Sequence, residues 1–89
     1  MITVPGISAG DADVARSLLA TTADAAVSTG ARAAASGATR TGGLEAWTFQ
    51  RVEDVESLLA LLEDHRRHGA LGPDKVHAVD RLIARLAAA

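Results

Sequence analysis

The run Leu44-Glu45-Ala46-Trp47-Thr48-Phe49-Gln50 constrains this chain most, because it reads as a strand and passes without a spacer into a leucine-rich helix near Val52. Trp47 and Phe49 are the only aromatic residues in 89. They stand two apart, so in a strand they point to the same face. The helix that follows carries Glu53 and Asp54 in its first turn, where carboxylates suit the positive end of the dipole. Val55, Leu58, Leu59 and Leu62 form its apolar stripe, with Val52 and Leu61 at the margins, and it stops around His68-Gly69. Trp47, Phe49, Leu58, Leu59 and Leu62 are therefore the expected core anchors. An interface role for one of the two aromatics is the alternative, since tryptophan is a common interface anchor.

Upstream, Met1 to Ile7 reads as a short arm with a Pro5-Gly6 turn signal. Ser8-Ala9-Gly10-Asp11 resembles a capping box, and Val14, Leu18, Leu19, Thr22, Ala25, Ala26 and Val27 recur at three and four. A first helix over residues 9–28, stopped by Gly30, follows from that pattern. Residues 29–43 are small and poor in large apolar groups. They read either as a linker or as a weak hairpin in which residues 31–35 pair with 44–50 around a glycine-rich turn. Downstream, Gly72-Pro73-Asp74 opens another helix, since proline fits a first helical turn. Val76, Val79, Leu82, Ile83 and Leu86 give it a stripe over residues 73–87.

The apolar fraction is 48%, but 20 of those 43 residues are alanine. The remaining 23 build a thin core, and with no cysteine there is no disulfide or thiolate metal site to reinforce it. Oligomerisation is the common remedy. A net charge of −2 argues against a nucleic-acid binder driven by bulk electrostatics. The distribution is uneven: Arg32, Arg40 and Arg51 face only Glu45 across residues 31–51, whereas residues 52–68 carry five acids. No basic leader precedes an apolar run, and no stretch of about 18 apolar residues exists, so a soluble protein made in the cytoplasm is expected, with no membrane contact.

Catalytic and cofactor motifs are sparse. His65 and His68 stand three apart beside Glu63 and Asp64, with His77 further on, a spacing that can put two imidazoles on one face. The run is not His-Glu-x-x-His, and it reads as a charged helix end that complements the dipole. The glycine-rich stretch has no Gly-x-x-x-x-Gly-Lys-Ser/Thr, and the only lysine is Lys75. The serines have no nucleophile-elbow context. The expectation is a non-enzyme with no catalytic residue, no cofactor and no metal.

The order helix, soft hairpin, aromatic strand, helix resembles the small head–tail joining (head completion) proteins of tailed bacteriophages, the W-type family of phage lambda. The matching features are a first helix ending at Ser28-Thr29-Gly30, Arg32 opening the first strand, and a glycine-containing turn. Trp47-Thr48-Phe49 followed by Val52-Glu53-Asp54-Val55-Glu56-Ser57-Leu58 completes the match, which covers about residues 9–66. The turn region 36–43 is longer than in that family, and the helix 73–87 is additional. The resemblance implies an α+β fold, two antiparallel helices packed on a small β-hairpin. Residues 1–8 are then an arm, 9–68 the helix–hairpin–helix core, and 69–89 a C-terminal helix and tail.

It also implies a virion connector subunit at the head–tail neck, assembled as a homo-oligomeric ring beneath the portal to retain DNA and dock the tail. Its partners would be the portal or adaptor, the tail proteins and, non-specifically, packaged DNA. Arg32, Arg40 and Arg51 are the natural contact residues, in or beside a loop over 30–43 that orders only in the ring. Two rivals stay open. One is a small cytoplasmic helical interaction module, antitoxin-like or of docking type, with residues 29–43 as a linker. The other is a helix-turn-helix domain with Lys75, Arg81 and Arg85 opposed by Asp74 and Asp80.

Overall fold

A computed structural model describes residues 1–69 and 71–89. The fold is α+β. Its elements are β1 (Ile2–Ser8), α1 (Ala9–Ala20), a 3-10 turn (Asp24–Ala26), α2 (Thr29–Ser36), β2 (Thr39–Thr41), β3 (Leu44–Phe49), α3 (Val52–His68) and α4 (Pro73–Ala87). The three strands form one antiparallel sheet in the order β1-β3-β2, so the aromatic strand is central.

The segment expected as an arm is a seven-residue edge strand. Val4 pairs with Trp47 and Ile7 with Glu45, and the register shifts between them. Pro5 and Gly6 occupy that bulge, Gly6 at φ 75°, so the sequence signal for a turn is a kink inside a strand. Ser8 then caps α1, its hydroxyl accepting the Asp11 N–H at 3.2 Å.

The first helix is not one piece. It ends at Ala20, where the Thr21 and Thr22 hydroxyls both donate to the Leu18 carbonyl, at 3.0 and 2.7 Å. Residues 31–35, the proposed first hairpin strand, lie in α2 instead. Ser28 is its N-cap, accepting the Ala31 N–H, and Ala31, Ala34 and Ala35 line one buried face at helical spacing. Alanine is the strongest helix former, and its small side chain lets α2 pack closely on β3 and α3. The hairpin is shorter and later: Thr41 pairs with Leu44 across a two-residue loop, Gly42 and Gly43, both at positive φ. A type I′ turn requires that conformation at both central positions.

The helices cover one face of the sheet. Glu45, Trp47 and Phe49 point into the core from β3, while Leu44 and Thr48 face out. Trp47 and Phe49 are fully buried with Leu58 and Leu62 from α3. Leu59 is only half-buried, and Leu61, expected at the margin, is in the core. Leu82 and Leu86 of α4 complete that core, α4 packing on α3 and α1 and touching β1.

Candidate functional site

The most highly charged arrangement is built on Glu45. Because it shares parity with Trp47 and Phe49, its side chain is carried inward and is 3% exposed. A buried carboxylate must be paired, and here five N–H groups converge on it. Arg16 of α1 donates through both terminal nitrogens, one to each oxygen, at 2.8 Å. Arg40 of β2 donates through Nε and a terminal nitrogen, and Trp47 through Nε1 at 3.0 Å. Arg16 also reaches the Ala35 carbonyl at 3.1 Å and Asp13 at 2.9 Å. Chiefly through Arg16, against the opposing pull of burial and helped by Trp47 and Arg40, the Glu45 carboxyl is held far below the usual range. Fixed as an anion and saturated with donors, it has no proton to give near neutral pH. It ties α1, α2 and the hairpin together beside a small cleft.

A second buried carboxylate, Asp54, joins α2 to α3. It accepts the Ser28 hydroxyl at 2.9 Å, while the Ser57 hydroxyl accepts the Ser28 N–H at 2.9 Å. No acid of α2 lies in its own first turn, so α3 supplies the negative charge there. Gly30 lies flat against Asp54, and a Cβ at Gly30 would overlap that carboxylate.

A groove of about 730 Å³ lies between β1 and α4. Every residue from Thr3 to Ser8 lines one wall, and Arg81, Leu82, Ala84, Arg85 and Ala88 line the other. Asp11 stands at its floor and takes a two-pronged contact from Arg81, at 2.9 and 2.8 Å. Those hydrogen bonds first, then the Arg81 charge and the Ser8 hydroxyl, lower the Asp11 carboxyl despite its burial. Arg85, one turn on, lays its guanidinium over Gly6; a Cβ there would lie 2.9 Å from one terminal nitrogen.

The three arginines expected to face a partner are engaged at three different places. Arg32 donates to the Leu19, Thr22 and Ala23 carbonyls, at 2.9, 2.8 and 3.3 Å, closing the end of α1. Arg40 belongs to the Glu45 cluster. Arg51 is the N-cap residue of α3, with a side chain 72% exposed and 4.0 Å from Asp54. The segment over 30–43, expected as a loop, is α2 and the start of the hairpin.

His65 and His68 lie in the last turn of α3 with Arg66 and Arg67. Among the described residues no three histidines, cysteines or acids come together to hold an ion. No helix among the described residues is long and apolar enough to cross a membrane. Sequence reasoning missed Arg16, Glu45, Asp11 and the groove. The parity of Glu45 with Trp47 was the signal for Glu45. No protein-family model, curated protein or solved structure matches this chain.

Proposed function

We propose that this chain is a non-enzymatic assembly subunit, and within that class a connector of the tailed-phage head–tail neck that works as a homo-oligomeric ring. The observation that carries the reading is the one-sided sheet. Helices cover one face, while Leu44 and Thr48 of β3 face outward and the edge strands β1 and β2 flank it. In a ring, neighbours would cover that surface and extend a core with few large side chains. In this reading α2 takes the place of the first helix expected over 9–28 in the helix–hairpin–helix unit, and the strand-to-helix junction at Phe49 to Val52 stays at its centre. The use of charge supports it further: Glu45, Asp11 and Arg32 fasten elements to one another, which suits a scaffold.

Native mass spectrometry and negative-stain microscopy test the proposal, on the purified chain alone and with a portal ring encoded beside its gene. Closed rings, or chain bound to the portal, are expected. A monomer up to millimolar concentration that ignores the portal ring would end it. The interaction-module alternative, in its all-helical form with residues 29–43 as a linker, does not describe a chain whose central strand is paired on both sides.

A further inference from the structure

We propose that the groove between β1 and α4 is a docking site for a short, extended, acidic segment of another protein, its carboxylate held by Arg85. The groove runs the length of the β1 wall, and β1 has a strand neighbour on one side only. Its surface is mainly apolar, with Pro5, Leu82 and Ala84 along it and Leu44, 50% exposed, at one end. Its two cations differ. Arg81 is neutralised by Asp11, whereas Arg85 is exposed and has no carboxylate partner among the described residues. The groove therefore carries one uncompensated guanidinium beside apolar walls.

Charge and shape select the occupant. A single planar guanidinium matches one carboxylate through two parallel hydrogen bonds. A nucleic-acid backbone would want several cations, and Asp11 would oppose it. A symmetric pairing of two copies of this chain is disfavoured twice. A symmetric contact would bring two Arg85 side chains into one groove, and Pro5 with the Gly6 bulge interrupts the ladder that β1-to-β1 pairing needs. Those same features limit strand addition to short stretches on either side of the bulge, so recognition falls to side chains. An aliphatic residue against Leu44 or against Pro5 and Ala84, with an Asp or Glu reaching Arg85, is the pattern that fits. The site holds whether or not the subunit belongs to a phage neck, and its test uses no virion component.

The test is selection of a displayed random-peptide library on the immobilised full chain. Enriched peptides are then titrated by fluorescence polarisation against wild type, Arg85→Glu and the distant control Arg67→Glu. The expected consensus carries an acid flanked by aliphatic residues. Arg85→Glu weakens binding by about tenfold or more, and Arg67→Glu leaves it unchanged. Amide shifts on binding should concentrate at residues 3–8 and 81–88, and thermal melts verify that each variant is folded. No enrichment, an acid-free consensus, equal binding by Arg85→Glu, or shifts centred elsewhere would overturn the proposal. So would a concentration-dependent dimer that the peptide dissolves, since the groove would then belong to a second copy.

Discussion

Two arginine–carboxylate forks organise this molecule, and they differ in what surrounds them. At Glu45 the carboxylate is buried under donors from Arg16, Arg40 and Trp47. At Asp11 it meets Arg81 alone among the charged partners of the described residues, and the Arg81 side chain is 60% exposed at the wall of a groove. The pairwise geometry is nearly the same, with contacts of 2.8 to 2.9 Å in both. What differs is how much water can replace a lost partner. The first fork holds three elements in place, and the second sets the wall of a cavity.

The largest effect that tests this difference is at Glu45. Glu45→Gln leaves the Arg16 guanidinium with only the exposed Asp13 as counter-charge, and removing one member of a buried pair is strongly destabilising. Because Arg16 and Arg40 retain side-chain exposures of 31% and 55%, a loss of about 3 kcal/mol is expected, at the low end for such pairs. A melting point lower by about 15 °C in calorimetry would show it. A fall no larger than that at Asp11 would break the comparison.

Acid titration is the second way in. The folded Glu45 carboxyl lies below its unfolded value, so its contribution is fully present above that value and is lost as pH falls toward the folded one. Wild-type stability should hold from pH 7 to about 5, decline through about 4.3, and keep declining below 3 because the folded group stays ionised there. Glu45→Gln should flatten that slope, with the two proteins converging toward low pH. Parallel urea titrations across this range would read it, and an unchanged slope would place the acid sensitivity elsewhere.

What the sequence showed and hid follows the same physics. The helices at 52–68 and 73–87 and the strand at 44–49 were legible because large apolar residues mark their periods and Pro73 marks a start. β1 was hidden because Pro5-Gly6 is a turn signal nearly everywhere except in a bulge. α2 was hidden because alanine offers little hydrophobic contrast, although Ser28 capping a run with Ala31, Ala34 and Ala35 on one face was there to be read. The site residues were obscured for a different reason. Arginine next to small residues looks solvated until the carbonyls that Arg32 closes, or the carboxylate that Arg40 meets, are brought near by the fold. Parity made Glu45 an inward residue, and no local pattern names Arg16, 29 positions away, as its partner.

Asp11→Asn should cost less than Glu45→Gln. It removes one fork with a half-solvated partner, and the Ser8 cap on its backbone N–H remains. About 1 kcal/mol, or about 5 °C in melting point, is expected. Arg81→Gln should lower the melting point in the same direction, and the double variant should lose little more than Asp11→Asn alone, because each single change already breaks the same contact. Additive losses would mean that Asp11 and Arg81 contribute through separate neighbours and that the groove wall is not set by their pairing.

Arg85→Ala should have the smallest effect on stability, within about 0.5 kcal/mol, because truncation removes no fork. The side chain is exposed, lies over a glycine that presents no Cβ, and has no carboxylate partner among the described residues. The conformation of Gly6, at φ 75°, is a backbone property that does not depend on what covers it. A melting point within about 3 °C of wild type therefore keeps Arg85 apart from both forks and leaves its charge available to a ligand. A loss as large as that of Asp11→Asn would instead make Arg85 a clamp on the β1 bulge. The groove would then be a by-product of holding the strand to the helix, and both walls would fall on the structural side of the comparison.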